Sequence, residues 1–285
     1  MNGKFSSYEF ENLDELLAVA ERLPRAEVVP LTRLAGARRW SNSGDYRAIC
    51  TGDHIWQVSG KNYTVVQHAA LIKEVVIQLA QLGLDSICGR VDTWNEEGRI
   101  WITALSPQEF QPLAGDTYRD GVLFANSYDS STAVSAAYYA WRKVCQNGLH
   151  AWTKELAAKK IHVGSSSVRN WVRLAIRRIR EQRPEFEKIV QRAATERLEE
   201  DISIVLKRLD IGPKLSSRII ERLERNSGPT RYDLANALTS YATHQLATQP
   251  LSRERYEDAA RRVLVAPTVP AIRRSETVRH NLRNM

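Results

Sequence analysis

The sequence is poor in the features that mark most enzymes and membrane proteins. Its 285 residues include three cysteines, Cys50, Cys88 and Cys145, odd in number and far apart. That excludes a disulfide framework and a CxxC zinc site, and it fits a reducing compartment. No run approaches the roughly 18 apolar residues of a membrane helix. Met1–Phe5 lacks the apolar stretch of a secretory signal, so a cytoplasmic, nucleoid-associated protein without membrane partners is expected. The only Gly-Lys pairs, Gly3-Lys4 and Gly60-Lys61, are not followed by Ser or Thr. Ile55 stands where a phosphate-cradling loop needs its leading glycine. GxGxxG and HExxH are absent as well. No ATP, metal or other cofactor is expected, and no enzyme activity.

What is present is charge, unevenly placed. The chain carries 41 Lys and Arg against 33 Asp and Glu, a formal net of +8. Residues 1–140 hold 12 basic and 17 acidic side chains, a net of −5; residues 141–285 hold 29 and 16, a net of +13. A local surplus of this size attracts polyanions over long range, and nucleic acid is the usual one.

Periodicity divides the chain further. Residues 11–23 read as an amphipathic helix with Leu13, Leu16, Leu17 and Ala20 on one face. Short strands are expected at 48–50 and 55–58, among turn formers. His68–Leu82 reads as a helix with Leu71, Val75, Leu79 and Leu82 in its buried stripe and Ile77 flanking it, stopped by Gly83. Strands follow at 86–94 and 99–105 around Asn95-Glu96-Glu97-Gly98, a hairpin signal. Residues 107–120 read as a loop, and 122–127 and 132–141 as further strands. Helices are expected at 142–160, 165–182, 185–209, 214–226, 231–247 and 252–264, with breaks at glycines and prolines. The fold class is α+β: a helix plus an antiparallel meander core, then a helical C-terminal region. The expected domains are a core at 1–160, a helical basic region at 161–265 and a basic tail at 266–285.

Enzyme chemistry finds little footing. Cys145 and His150 are near in sequence, which says little about adjacency in space, and a small buried hydrophobe explains the cysteine. Glu109, Asp116, Asp120 and Asp129 could gather around magnesium for phosphodiester cleavage. Carboxylates in that stretch are equally suited to solvated turns.

Nucleic-acid binding has clearer carriers. Arg169, Arg173, Arg177 and Arg180 recur at steps of four, four and three, which aligns them along one helical face. Stacked like charges cost stability unless an anion answers them, and phosphates along a strand would. The alternative is pairing with the chain's own acids. Tyr139, Trp141, Arg142 and Lys143 place aromatic rings beside cations at a strand end, a combination that stacks unpaired bases. Each ring could equally belong to the sheet core. Tyr46, Arg38 and Arg39, with Trp40, form a third candidate patch.

Three stretches carry a resemblance. Tyr63-Thr64-Val65-Val66-Gln67-His68 leads into a helix, Leu123–Val134 contains Asn126-Ser127-Tyr128-Asp129-Ser130-Ser131, and Arg142-Lys143-Val144-Cys145-Gln146-Asn147 follows. In this order they resemble the phage- and plasmid-like family catalogued as domain of unknown function nine-three-two, over about residues 55–150. Tyr128 stands for that family's His and Ser130 for its Gly, which argues against a catalytic histidine in the turn. Architecturally, helix, meander and helix is similar to single-strand annealing proteins of the RecT, Redβ and Rad fifty-two types. That likeness implies ATP-independent binding and annealing of single-stranded DNA in recombination or repair, by a homo-oligomer forming a ring or filament. The competing expectations are a metal-dependent nuclease using the loop carboxylates and a non-catalytic phage or plasmid protein-interaction module.

Overall fold

The computed structural model describes residues 5–30, 46–143, 147–151, 157–160, 167–224, 229–246 and 250–266. The fold is α+β, an antiparallel sheet core followed by a mostly helical C-terminal region. The chain divides into two compact units: Met1–Pro107 with Gly121–Tyr138 and Leu156–Arg180, and Gln108–Asp120 with Tyr139–Glu155 and Glu181–Met285.

The larger sheet runs in the order β1-β5-β6-β7-β8-β10, with β9 also pairing with β8. Its strands are β1 (Ser6–Phe10), β5 (Cys88–Trp94), β6 (Arg99–Leu113), β7 (Asp116–Ser127), β8 (Val134–Arg142), β9 (Asn147–Ala151) and β10 (Ala157–Lys160). A three-stranded sheet joins β2 (Glu27–Pro30), β3 (Tyr46–Thr51) and β4 (His54–Gly60). In the first unit, α1 (Leu13–Arg22) starts at Asn12, whose side chain accepts the Glu15 N–H at 2.9 Å. Its apolar face, Leu13, Leu16, Val19 and Ala20, is buried. The helix α2 (His68–Ala80) buries Leu71, Ile72, Val75 and Leu79, and it touches both α1 and α3 (Val168–Arg180). The β5–β6 hairpin closes with Gly98 N–H donating to Asn95 O at 3.0 Å. Glu96 and Glu97 occupy its centre at φ 54° and 67°, the left-handed geometry of a primed turn. Gly98 is required there, because a Cβ would lie 2.3 Å from the Trp56 ring.

In the second unit, Phe110, Tyr118 and Phe186 pack with ring centroids 5.8–6.2 Å apart. Its helices are α4 (Arg183–Thr195), α5 (Ile202–Arg208), α6 (Pro213–Glu224), α7 (Arg231–Gln245) and α8 (Pro250–Val265). A capping box between Thr230 and Asp233 starts α7. The helices α7 and α8 pack on each other and on β9.

Several expectations are corrected. The stretch 142–160 is not one helix: Arg142 ends β8, Lys143 is in a turn, and the other described parts are the strands β9 and β10. Ala157–Lys160, good helix formers, pair with Ala137–Val134, because the edge of β8 offers backbone partners that propensity does not weigh. The loop expected at 107–120 is the tip of a long hairpin. Both strands continue through it to a two-residue turn at Ala114-Gly115, with Gly115 at φ 76°. The single helix expected at 185–209 is broken. Leu198 N–H donates to Pro229 O and Arg231 N–H to Glu196 O, both at 3.0 Å, so this stretch is extended. Asp201 then caps α5. Ile77, expected at the flank of the buried stripe, is exposed on α2, and Leu82, expected in the core, is exposed just beyond it. The strands β1 and β2, five and four residues long, are too short for their alternation to announce them.

Candidate nucleic-acid interface

Residues 168–180 contain no glycine or proline, and the apolar residues recur at helical spacing. Val172, Ala175, Ile176 and Ile179 are buried in the first unit. Trp171, half-buried, meets Phe124 of β7 edge-on, ring centroids 6.1 Å apart. That apolar anchoring dictates what the other side presents. Arg169, Arg173, Arg177 and Arg180 are all exposed. At 100° per residue they share an arc of about 80°, and they extend about 16 Å along the axis. Arg178 is exposed beside them, as is Leu174 at 60%. Among the described residues no carboxylate lies within ion-pair distance of Arg169, Arg173 or Arg180. Of the acids that could have answered the row, Glu196, Glu199, Glu200 and Asp201, three have partners within the second unit: Glu196 binds Arg231, Glu200 binds Arg208 at 2.5 Å, and Asp201 caps α5. The structure thus exposes a row of like charges along one face of α3, which leaves it able to receive an anion.

The other candidates have different surroundings. Tyr139, Trp141, Arg142 and Lys143 stand at the end of β8 in the second unit. Tyr139 is 3% exposed, so its ring has no face for a base. Trp141 is half-buried. Arg142 Nε donates to Asp116 Oδ1 at 2.5 Å, and its guanidinium lies 5.6 Å from the centre of the Tyr232 ring. Tyr232 donates to the other Asp116 oxygen, and its hydroxyl also meets that of Tyr118. Burial pulls the Arg142 pKa down, but the hydrogen bond to Asp116 and the field of Tyr232 and Tyr118 leave it raised overall. Burial pushes both tyrosines up. Arg142 is therefore a strut inside the second unit. Lys143 Nζ pairs with Glu109 at 2.9 Å with both side chains well exposed, an ion pair weak enough to exchange for phosphate. Tyr46 is 52% exposed on β3, beside exposed Arg47, in the first unit with α3. Arg38, Arg39 and Trp40 lie outside the described residues, as does Cys145.

Three of the four carboxylates considered for magnesium, Glu109, Asp116 and Asp129, are held by partners of their own. Asp116 holds Arg142 and Tyr232, and Glu109 holds Lys143. Asp129, in the first unit, binds Arg99 at 2.7 Å and accepts from Ser131 N–H and hydroxyl. Burial acts to raise the Asp129 pKa, but Ser131 and Arg99 together hold it below the usual carboxylate range. Among the described residues no group of three or more His, Cys, Asp or Glu is placed to hold a metal.

Sequence reasoning missed a buried polar knot where two of the resembling stretches meet. The His68 ring stacks on Tyr128 with centroids 3.8 Å apart and planes 16° from parallel. The Tyr128 hydroxyl accepts His68 N–H at 3.0 Å and donates toward Gln67 Oε1 and Pro24 O, each at 3.2 Å. Gln67 answers both backbone groups of Ala26, at 3.0 and 2.7 Å. Asn126 Nδ2 lies 2.7 Å from Val66 O and 2.9 Å from His68 Nδ1. Burial pushes the Tyr128 phenol up to about 12. The signal available was polarity out of place: Gln67, His68, Asn126 and Ser127 interrupt apolar runs where only satisfied groups can be buried.

No helix among the described residues is long and apolar enough to cross a membrane. No curated protein and no solved structure matches the chain. A family model does, and it extends past the sheet core through the helical region, so the arginine row of α3 and the helices α4–α8 fall within it. With residues 56–283 matched, well over half of the chain, the protein belongs to the family described as Domain of unknown function (DUF932).

Proposed function

We propose that the protein binds single-stranded DNA without ATP and anneals complementary strands, acting in the cytoplasm on nucleoid-associated DNA. The observation that carries this is the exposed row of Arg169, Arg173, Arg177 and Arg180 on α3. Each guanidinium can take two phosphate oxygens. Neutralised phosphates let a second strand approach, and unpaired base edges then select it by Watson–Crick pairing. Tyr46, in the same unit as α3, is the aromatic candidate for supporting bases, since Tyr139 is enclosed. One helix offers a track of only about 16 Å, so a working particle holds several copies in a ring or filament.

The test is annealing of complementary labelled oligonucleotides followed by fluorescence quenching, without nucleotide. The wild-type chain is expected to accelerate pairing. The Arg169→Ala/Arg173→Ala/Arg177→Ala variant, folded by circular dichroism, is expected to lose most of that acceleration. Equal acceleration by both proteins, or cutting of the strands in magnesium, would overturn the proposal.

A further inference from the structure

The second unit contains a helix–turn–helix with exposed cations that the arginine row does not use. The helix α5 ends in a tight left-handed turn: Asp210 sits at φ 58°, Ile211 N–H donates to Leu206 O at 3.0 Å, and Asp210 N–H donates to Lys207 O at 3.1 Å. Ile211 and Leu206, joined by that bond, are both buried. Gly212 O then accepts Leu215 N–H at 3.1 Å and Ser216 N–H at 3.0 Å, opening α6, with Pro213 as its first residue. The connection is thus four residues, Leu209–Gly212, locked at both ends. Val205, Leu206, Leu209, Ile211, Leu215, Ile219 and Leu223 form the apolar side of the pair. Gly212, Pro213, Lys214, Ser217, Arg218, Glu221 and Arg222 are exposed at the turn and along the outer face of α6, as is Lys207 at the end of α5.

We propose that α5 and α6 form a duplex-DNA contact, with α6 as the helix offered to the major groove and Lys214, Ser217 and Arg218 at its leading end. The groove is about 12 Å wide and admits one helix, whose N-terminal residues face the DNA while the preceding helix meets the backbone. Lys214 and Arg218, four residues apart, and Lys207 on the preceding helix supply cations for phosphates on either side. Ser217 Oγ donates to Pro213 O at 3.1 Å and the residue is exposed on this face. Arg222, further along, donates to Ser240 Oγ at 3.2 Å, and Glu221 is the acid on this face; both sit beyond the leading end. The choice of duplex over single strand rests on composition. Residues 201–224 contain no Phe, Tyr, Trp or His, so no aromatic ring there stacks an unpaired base. A surface of this kind retains the paired product while α3 holds the unpaired substrate. It stands on α5 and α6 alone and does not require the single-strand proposal to hold.

The test uses the full chain, a labelled mixed-sequence duplex and, separately, a labelled single strand, with affinity followed by anisotropy across a salt series. Lys214→Ala/Arg218→Ala is expected to weaken duplex binding about tenfold and to flatten the log–log salt slope by about 1.8, from two phosphate contacts at about 0.9 each. Ser217→Glu, which adds an anion on the same face, is expected to weaken duplex binding as well. Single-strand affinity of both variants is expected to stay within about twofold, and the α3 triple variant shows the reverse pattern. Duplex affinity unchanged in both α6 variants overturns the inference, as does an equal loss for single and double strands, or a wild-type chain that does not bind duplex.

Discussion

Replacing Arg231 by methionine is expected to destabilise the second unit by about 3–5 kcal/mol, the usual cost of breaking a buried charge pair. Arg231 is fully buried at the start of α7. Its Nε and Nη2 atoms donate to Val263 O at 2.8 and 2.5 Å, and Nη2 also reaches Leu264 O at 2.8 Å and Ala266 O at 2.5 Å. Those carbonyls end α8, where intrahelical donors run out. The guanidinium supplies the missing donors and places positive charge at the negative end of the helix dipole. Its Nη1 meets Glu196, which methionine would strand without a counter-charge. Burial pulls the Arg231 pKa down while Glu196 opposes it, as expected where a charge is retained for its partners. At about 2–4 °C per kcal/mol for a unit of this size, the melting temperature falls by about 6–20 °C. Arg231→Lys keeps the charge but cannot fork across several carbonyls, and falls between the two. Differential scanning calorimetry reads all three proteins. A methionine variant within about 1 kcal/mol of wild type would refute the assignment of this arginine as the cap of α8.

Two further outcomes are expected from the first unit. Glu96→Gly relieves a left-handed non-glycine residue at φ 54° and should raise stability by about 1 kcal/mol in urea titration, because its 3.6 Å contact with His54 is exposed and contributes little; a loss of stability would show that the turn is not strained. Tyr128 is neutral in the fold, with its pKa raised from 10.0 to about 12, so its share of stability is intact below pH 10 and is lost as the pH climbs to about 12. At about 1.4 kcal/mol per pH unit this amounts to about 2.7 kcal/mol. Tyr128→Phe, though less stable at neutral pH, should show a correspondingly shallower alkaline decline.

The parts legible in the sequence were those where local signals and tertiary demand agree. The stripe of α1, the core of α2, the β5–β6 hairpin and the amphipathic face of α3 all follow from spacing alone. The arginine row was legible for the same reason: four exposed positions are fixed once Val172, Ala175, Ile176 and Ile179 are assigned to the core. Failures fall where a distant strand or helix overrides local preference. Ala157–Lys160 would favour a helix in isolation but completes the edge of β8. Tyr139 reads as an exposed stacking ring because strand alternation allows it, yet β8 is buried at every position from Val134 to Ala140. Arg142 reads as a phosphate ligand, and only the fold reveals that Asp116 and Tyr232 enclose it. Arg231 carries no local mark at all, since its partners lie 32–35 positions away.

Contact between the guanidiniums of α3 and the phosphates of an unpaired strand leaves a salt signature, read by measuring single-stranded DNA affinity across a salt series for the wild-type chain and for Arg169→Ala/Arg173→Ala/Arg177→Ala. At about 0.7 per phosphate on a single strand, loss of three contacts should flatten the log–log slope by about 2. An identical slope in the two proteins, with the variant correctly folded, would contradict the account.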